Sequence, residues 1–288
     1  MDTVLILIAS PGSGAIAPSV IARLDTGNPR WLAPDDACEL PFADGPEARS
    51  AVAETVAGLP IDWAVVPTAN RRKKLLIADM DSTIIAQECI DELGAAAGVG
   101  AEVAAITTRA MRGEVDLEQS LKARLQLMRG LPTTALHRIV EGLNFTAGGR
   151  TLVQTMKANG AHTVLVSGGF TYFTSRVAEA LGFDEHRGNE LMFDGEALSG
   201  RVREPILGVR AKADALREIC SHRGIGPEAV IAAGDGANDV EMLRLAGLGV
   251  GFRAKPVVRE AADAVIDHAD LTALLYLQGY GLNDFVTD

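Results

Sequence analysis

The feature that most constrains the fold of this chain is a short apolar run that ends on two carboxylates. Residues 75–78 are apolar at every position, and Asp79 and Asp81 follow them, separated by one residue. Such a run predicts a strand that is buried on both faces, as in a parallel sheet. Because ligands of open parallel sheets bind beyond the carboxyl ends of the strands, we expect both carboxylates to face that crevice. A plainer alternative is that residues 81–83 only cap a following helix.

Two further segments predict buried strands with similar ends. Residues 162–166 are followed by Ser167, Gly168 and Gly169, and residues 230–233 by a loop that contains Asp235, Asn238 and Asp239. Strand and helix patterns alternate from residue 148 onward, which predicts a doubly wound parallel α/β sheet. The polar loops should therefore converge on one edge of that sheet.

Residue patterns divide the chain into three expected parts. Residues 1–70 read as a small N-terminal α/β domain, with strands at 3–9 and 61–66 and helices at 16–24 and 47–57. Its loop at 11–14 is rich in glycine but lacks the Lys-Ser/Thr of a phosphate-binding P-loop, so we interpret it as a turn. Residues 87–142 are helical and form an expected cap, and residues 71–86 and 143–288 form the core. A hairpin is expected at 189–202, around Asp194-Gly195-Glu196.

Composition excludes several classes of partner. The formal charge is -11 over 288 residues, which argues against nucleic acid or an anionic membrane surface as a main partner. The apolar runs are too short to span a bilayer. The three cysteines are odd in number and lack a metal-binding spacing, which is typical of the reducing cytoplasm. The sequence leaves monomer and homodimer open.

The residue types at the predicted sheet edge favour magnesium and a phosphate. Oxygen ligands without nearby histidine or cysteine suit Mg²⁺ better than zinc, and Mg²⁺ in such sites commonly shares a phosphate oxygen. Ser167 and the N–H groups after it stand at a helix start, which favours an anion. Lys212, near the start of a later helix, can supply positive charge, although a lone lysine is more often a solvated surface residue.

Together these motifs resemble the phosphatases of the haloacid dehalogenase superfamily. The DxDx(T/V) signature matches residues 79–83, the second-motif Ser or Thr matches Ser167, the third-motif lysine matches Lys212, and GDGxND matches residues 234–239. The match extends over residues 74–275 and is closest to members that hydrolyse a phosphorylated amino acid. The resemblance implies a Rossmann-like core with a helical cap inserted after the first core strand.

The resemblance also implies catalytic roles. Asp79 would be the nucleophile, and Asp81 would donate and then accept a proton. Asp79, Asp235 and the backbone carbonyl of Asp81 would hold Mg²⁺. Charge on the phosphoryl group would be stabilised by Lys212, Ser167 and the Gly168 amide. Asn238 would contact substrate, and Asp239 would orient Lys212 or a metal-bound water.

In the cap, the resemblance points to residues that recognise the substrate. Glu88 would meet the substrate ammonium, Arg124 its carboxylate, and Met111 would lie beside its side chain. Ordinary surface charge on helices is the alternative for the first two, and plain core packing for Met111. The implied substrate is a small phosphomonoester.

Two other readings remain open. One is a related phosphatase or phosphotransferase whose cap residues select a different ester. The other is a ligand sensor built on an inactive phosphatase fold, which the complete set of Asp79, Asp81, Lys212 and Asp235 argues against. In either case residues 1–70 would be regulatory, interfacial or structural, and an ACT-like ligand-binding fold is one form that they can take.

Overall fold

In the computed structural model, which describes residues 3–112 and 114–287, the central element is a parallel sheet. Within the described residues its six strands are β5 (Leu75–Ala78), β6 (His162–Phe170), β7 (Glu185–Asn189), β10 (Val230–Gly234), β11 (Leu248–Phe252) and β12 (Ala264–Ile266). They lie in the order β12-β11-β10-β5-β6-β7, and every neighbouring pair is parallel. The α/β class with a parallel sheet, predicted from the apolar runs, is confirmed.

The sheet is covered on both faces, which explains the unbroken apolar run of β5. The helices around the sheet are α7 (Gly149–Ala158), α8 (Thr171–Leu181), α9 (Ala211–Arg223), α10 (Val240–Leu245), α11 (Pro256–Arg259) and α12 (Ala273–Leu277). Leu75 and Ile77 pack with apolar side chains of α9 and α10, whereas Leu76 and Ala78 belong to a core that contains α7 and α8. All four residues of β5 are completely buried.

A helical cap is inserted between β5 and α7, as predicted. Its helices are α3 (Cys89–Ala96), α4 (Gly100–Met111), α5 (Leu117–Leu127) and α6 (Thr133–Glu141). Two chain segments connect the cap to the core and pair with each other. The Ala86 N–H donates to the Asn144 carbonyl at 2.9 Å, and the Thr146 N–H donates to the Ile84 carbonyl at 2.9 Å.

The hairpin formed by β8 (Leu191–Asp194) and β9 (Ala197–Val202) is present as expected, but it contacts the cap. The Gly130 N–H donates to the Leu198 carbonyl at 2.8 Å, and the Leu198 N–H donates to the Leu131 carbonyl at 2.9 Å. These bonds tie the hairpin to the end of α5, although it lies in the range expected to form the core. The strand before the hairpin, β7, was not expected from the sequence.

The N-terminal domain consists of β1 (Thr3–Ala9), α1 (Pro18–Leu24), β2 (Arg30–Ala33), β3 (Ala37–Phe42), α2 (Pro46–Val56) and β4 (Ile61–Pro67). In the described part of the chain its four strands form an antiparallel sheet with the order β2-β3-β1-β4. This βαββαβ order is that of ferredoxin-like folds. The strands β2 and β3 were not expected from the sequence.

The N-terminal sheet is buried between its own helices and the catalytic core. Leu5 and Leu7 contact the apolar faces of α1 and α2, whereas Ile6 and Ile8 belong to the large core that continues into the parallel sheet. An antiparallel strand normally alternates apolar and polar residues when one face is solvated. Here both faces of β1 are covered, so the strand is apolar throughout.

A buried carboxylate fastens the two sheets together. Asp62 in β4 is 4% exposed and accepts hydrogen bonds from the backbone N–H groups of Asp267, His268 and Ala269 at 2.8–3.2 Å. Carboxylates that accept several N–H bonds make strong charge-assisted contacts. The N-terminal domain is thereby held in a fixed position beside the end of β12.

The glycine-rich loop at 11–14 is a turn, as interpreted from its sequence. The Asp36 carboxylate accepts the Gly14 N–H at 2.9 Å and also the Gly12 N–H. A side-chain anion therefore occupies the N–H groups that a phosphate would need. None of the helices in the described ranges is both long enough and apolar enough to cross a membrane.

Candidate active site

Asp79 lies directly after β5 and forms the centre of a buried charge cluster. The Lys212 ammonium is 2.7 Å from Asp79 Oδ2 and 2.5 Å from Asp239 Oδ1. Exposed fractions are 5% for Asp79, 3% for Lys212 and 0% for Asp239. Burial and the nearby Asp239 raise the pKa of the Asp79 carboxyl, and Lys212 opposes that rise. Burial alone would lower the pKa of Lys212, but the two carboxylates hold it above its ordinary value, so this lysine stays charged.

Asp81 connects the loop after β5 to two other elements. Its Oδ1 accepts the Cys89 N–H at 2.8 Å, and its Oδ2 accepts the Ser167 hydroxyl at 2.9 Å. Removal from water raises the pKa of the Asp81 carboxyl, while both hydrogen bonds act in the opposite direction. Cys89 is the first residue of α3, so the helix-capping alternative is partly realised. The same carboxylate nevertheless lines the central cavity.

The loop between Asp79 and the cap is a tight turn that aims both carboxylates. It is closed by the Ile85 N–H, which donates to the Met80 carbonyl at 3.0 Å. Ser82 takes a left-handed backbone conformation with φ 55°, and its hydroxyl donates to Glu88 Oε1 at 2.7 Å. The turn therefore links Asp79, Asp81 and Glu88 within one short segment.

Ser167 and the two glycines after it were expected to form a loop at a helix start, but they are part of β6, whose pairing with β7 is irregular here, and α8 begins only at Thr171. The Gly169 N–H donates to Ser167 Oγ at 2.8 Å. A Cβ atom at Gly169 would lie 3.0 Å from Ser167 Oγ and 3.1 Å from Asp81 Oδ2, which is closer than ordinary contacts. Glycine at 169 therefore lets the chain pass close to both polar groups.

The Gly234–Asp239 motif depends on a similar close approach. A Cβ atom at Gly234 would lie 2.3 Å from Asp239 Cγ, so only glycine lets this carboxylate sit against the end of β10. Asp239 Oδ2 accepts the Gly236 N–H at 3.0 Å, and Oδ1 pairs with Lys212. Both oxygens of Asp239 are thus engaged, as suits a group that orients Lys212.

The donor set fits a hard divalent cation. Asp79, Asp235 and Asp239 offer carboxylate oxygens that all lie within 4.8 Å of one another, and all three residues are buried. Buried carboxylates this close repel one another unless cations balance them. In the described residues, Lys212 and Lys255 form the ion pairs of this cluster. Asp79 and Asp235 line the cavity between the core and the cap, whereas Asp239 is not among its lining residues, so Asp79 and Asp235 are the better candidates for ligands, as the sequence predicts.

A cavity of about 420 Å³ opens between this cluster and the cap. Its core side contains Asp79, Asp81, Ser167, Gly168, Asp235 and Asn238, and its cap side contains Glu88 and Arg124. The predicted site residues are therefore brought together, apart from Lys212 and Asp239, which lie behind Asp79. The Met111 side chain lies outside the described part of the structure, so its predicted contact stays a prediction.

Arg124 is half-buried on α5 and points into the cavity from the cap. Its Nε donates to the Ser120 carbonyl and its Nη1 to Thr107 Oγ1, both at 3.3 Å. Burial lowers the pKa of this guanidinium, while Asp91 and Glu88 raise it. Arg124 and Glu88 thus place opposite charges on the cap side of one cavity, which suits a zwitterionic group.

Two polar residues of the site were missed in the sequence. Lys255 pairs with Asp235 Oδ2 at 3.1 Å and lines the cavity. Asn189, at the end of β7, is 2% exposed and donates to the Gly168 carbonyl at 2.8 Å. Lys255 follows the apolar strand β11 closely, a position that could have drawn attention to it. Asn189 follows a polar segment, which gave no such signal.

Residues 76–244 match the haloacid dehalogenase-like hydrolase family, and the chain belongs to this family. The resemblance inferred from the four motifs is therefore confirmed. Hydrolases of this family that act as phosphatases generally use a metal ion, which agrees with the buried aspartate cluster.

Curated relatives are similar over most of the chain. A phosphoserine phosphatase of Archaeoglobus fulgidus is 43% identical over 238 residues, which is 82% of this chain and 69% of the relative. A phosphoserine phosphatase of Streptomyces coelicolor is 43% identical over 80% of this chain and 57% of the relative. The chain thus spans between about half and about two thirds of the length of these relatives.

Solved structures are similar to the whole chain and to its catalytic part. A haloacid dehalogenase family hydrolase of Salmonella enterica serovar Typhi matches with a TM-score of 0.85 and 28% identity, over 96% of this chain and 98% of that one. A substrate-bound phosphoserine phosphatase complex matches with a TM-score of 0.67 and 37% identity, over 71% of this chain and 98% of that one.

Proposed function

We propose that this protein hydrolyses O-phospho-L-serine to L-serine and phosphate, the last step of serine biosynthesis. The observation that carries the proposal is one cavity lined by a phosphate-type site on the core side and by opposite charges on the cap side. Asp79, Asp81 and Ser167 line it from the core, and Glu88 and Arg124 line it from the cap. The two relatives described above bear the name phosphoserine phosphatase. A phosphorylated amino acid carries charges that match both sides.

In the first step, an oxygen of Asp79 attacks phosphorus and the bond between phosphorus and the seryl oxygen breaks. Asp81 donates a proton to that oxygen, and the raised pKa of its carboxyl supports this role. Lys212 stays charged beside Asp79, so it counters negative charge as the bond to phosphorus forms. The product on the enzyme is an aspartyl-phosphate.

In the second step, water attacks the aspartyl-phosphate. Asp81 now takes a proton from that water, and the bond between phosphorus and the Asp79 oxygen is exchanged for one to the water oxygen. Phosphate leaves and Asp79 returns as a carboxylate. Ser167 and the Gly168 N–H bind phosphoryl oxygens in both steps, since both residues line the cavity beside Asp79 and Asp81.

Mg²⁺ is the proposed cofactor because the buried donors are carboxylates. Asp79, Asp235 and the backbone carbonyl of Asp81 would hold it, with Asp239 outside the ligand set. When bound, the ion neutralises charge on the phosphate and draws it toward Asp79. Lys255, paired with Asp235, keeps that carboxylate turned toward the cavity.

The cap is proposed to recognise the amino acid. Glu88 would pair with the substrate ammonium and Arg124 with its carboxylate, a planar pairing that favours two parallel hydrogen bonds. Asn238 and Met111 complete the proposed substrate contacts. Residues 87–142 would thus determine specificity, while residues 71–86 and 143–288 perform the chemistry and residues 1–70 serve a regulatory or interfacial role.

We also propose a cytoplasmic location, a small-molecule substrate and no nucleic-acid or membrane partner. The three cysteines are buried and unpaired, which suits a reducing compartment. Size-exclusion chromatography with light scattering distinguishes monomer from homodimer.

The experiment that tests the proposed function is phosphate release from O-phospho-L-serine with Mg²⁺, beside a panel of small phosphomonoesters that includes phosphohomoserine. We expect a strong preference for O-phospho-L-serine. EDTA should abolish turnover, and Asp79→Asn should lower kcat by about 10⁴-fold or more, because the nucleophile is lost. Arg124→Met should raise KM for phosphoserine more than KM for an ester without a carboxylate.

Other results would change the proposal in defined ways. Activity that needs Asp79 but favours another ester would keep the phosphatase and overturn the Glu88 and Arg124 assignments. No hydrolysis of any ester with Mg²⁺ present would overturn the enzymatic proposal and favour the ligand sensor.

A further inference from the structure

A buried asparagine outside the four family motifs connects two segments that line the cavity. One is the segment of residues 167–169, called the phosphate loop below, and the other contains Leu207. Asn189 ends β7, the edge strand of the parallel sheet, at the same edge as Asp79 and Ser167. Its Nδ2 donates to the Gly168 carbonyl at 2.8 Å, and its Oδ1 accepts the Leu207 N–H at 2.8 Å. Because a carbonyl can only accept and an N–H can only donate, these partners fix the orientation of the amide.

The peptide group between Gly168 and Gly169 is held at both ends. Its carbonyl accepts from Asn189, and its N–H donates to Ser167 Oγ at 2.8 Å. The Ser167 hydroxyl in turn donates to Asp81 Oδ2 at 2.9 Å. A peptide group is planar, so fixing its carbonyl also fixes the direction of its N–H.

These bonds form one continuous chain of donors and acceptors. It runs from the Leu207 N–H through the Asn189 amide and the 168–169 peptide to the Ser167 hydroxyl, and it ends on Asp81. Each group donates toward Asp81, so the dipoles align and strengthen one another. The end of this chain is the carboxylate that transfers protons in the proposed reaction.

The backbone beside Asn189 is shaped for this contact. A Cβ atom at Gly188 would lie 3.1 Å from the Thr171 nitrogen and 3.2 Å from the Phe170 carbonyl carbon. Glycine at 188 therefore lets the end of β7 approach the loop closely enough for Asn189 to reach the Gly168 carbonyl. Leu207 and Gly208, held on the other side, line the cavity shortly before the helix of Lys212.

We propose that Asn189 is a positioning residue for phosphoryl transfer. It holds the 168–169 peptide in the orientation that presents the phosphate loop to the cavity and directs the Ser167 hydroxyl at Asp81. This inference rests on the proposed phosphatase function, but it concerns the phosphate site and is independent of which alcohol leaves.

The test compares Asn189→Leu with a control that loses the same kind of bridge far from the site. Gln278 is 1% exposed, donates to the Leu274 carbonyl at 2.9 Å and accepts the Lys73 N–H at 3.0 Å. Gln278→Met therefore removes a buried amide with the same pattern of partners. Both variants are assayed for turnover, for affinity of inorganic phosphate in the presence of Mg²⁺, and for Tm.

For Asn189→Leu we expect kcat to fall by about 10- to 100-fold and the Kd for inorganic phosphate to rise about tenfold. Losses of this size are typical when a residue that orients the ligands of a metal site is replaced. Gln278→Met should lower Tm without either change. Gly188→Ala, which keeps every polar atom but displaces the end of β7, should act in the same direction as Asn189→Leu. If Asn189→Leu does not fold, Gly188→Ala tests the same contact between β7 and the phosphate loop.

The positioning role is overturned if turnover and phosphate affinity of both Asn189→Leu and Gly188→Ala stay within twofold of Gln278→Met. If the unmodified protein binds phosphate but hydrolyses no phosphomonoester, the proposed function fails, and Asn189 is judged by phosphate Kd alone. A weakened Kd then supports its role at the anion site, and an unchanged Kd rejects it.

Discussion

At the scale of single residues, enclosed charge determines how this site is built. Lys212 lies between Asp79 and Asp239, and all three side chains are nearly inaccessible to water. A charge that is buried without a partner costs several kcal/mol, so each of these groups depends on the others. The arrangement keeps an ammonium beside the nucleophile before any substrate arrives.

Replacing Lys212 by methionine should therefore damage stability as well as activity. The variant leaves two buried carboxylates without their cation, so we expect the free energy of unfolding to fall by about 3–5 kcal/mol. Turnover should fall by about 10²- to 10³-fold, because a charge contact to the transition state is lost. Urea unfolding and phosphate release measure the two effects.

Lys157→Met is the matched control for this prediction. Lys157 pairs with Asp184 at 2.8 Å, but both side chains are about 30% exposed and lie away from the cavity. We expect a loss of at most about 1 kcal/mol and unchanged turnover. Equal effects of the two substitutions would contradict the special role assigned to the buried cluster.

Nearly all of the site residues could be located from the sequence because their motifs follow mainly apolar segments. Asp79, Ser167 and Asp235 each come after such a segment, and parallel strands bring their carboxyl ends to one edge of the sheet. Asn189 was not found from the sequence because its strand, Glu185–Asn189, is polar and lies at the edge of the sheet. Apolar periodicity carries no information about such a strand.

At the scale of elements, the cap is joined to the core by two short paired segments. The Gln87 side chain bridges them, because its Nε2 donates to the Gly142 carbonyl and its Oε1 accepts the Asn144 N–H, both at 3.0 Å. Two backbone bonds beside it, Ala86 to Asn144 and Thr146 to Ile84, continue the same ladder. This amide therefore braces the connection between the cap and the core.

Gln87→Ala should loosen the connection without unfolding the domains. We expect the amide of Asn144 to exchange its hydrogen about tenfold faster, since it loses its acceptor. Hydrogen exchange followed by mass spectrometry checks this, with Gln119→Ala on the exposed side of α5 as the control. Unchanged exchange across residues 142–146 would show that the backbone bonds alone set the stiffness of the connection.

Element boundaries were predictable where helical or strand periodicity was strong. The helical character of the cap and the strands of the central sheet other than β7 follow from such patterns. The strands β2 and β3 did not, because Pro34, Asp35 and Asp36 interrupt the segment and Pro41 lies within it. Their pairing with β1 satisfies backbone groups that the local sequence alone leaves undecided.

At the scale of the whole molecule, polar contacts hold the N-terminal domain on the core. Besides the Asp62 contacts, Glu39 in β3 pairs with Arg71 at 2.6 Å and with Arg30. Arg71 also donates to the Tyr276 carbonyl at 3.5 Å, and it belongs to the segment that joins the two domains. A large shared apolar core completes the interface.

Glu39 makes this interface sensitive to acid. Burial alone would raise the pKa of Glu39, but hydrogen bonds from Arg30 and Arg71 hold it below its usual range. A carboxyl whose pKa is lowered by folding stabilises the protein above its unfolded pKa and loses that effect as the pH falls through the folded pKa.

Glu39→Gln should therefore lower the free energy of unfolding by about 1–3 kcal/mol at pH 7, and the difference from the unmodified protein should shrink below about pH 4.3. Urea unfolding at a series of pH values measures this. Glu54→Gln, on the exposed side of α2, is the control and should show no such trend. A difference that stays constant down to pH 3 would contradict the assignment.

The sequence by itself determined the class of fold, the order of most elements and the identity of the motif residues, because apolar periodicity and the chemistry of residue types are local properties. Tertiary structure decided which groups share a contact. It placed Lys212 between two carboxylates, tied Asn189 to the phosphate loop, attached the β8–β9 hairpin to the cap and seated the N-terminal sheet on the core. These are contacts between residues far apart in the chain, and only packing in three dimensions brings them together.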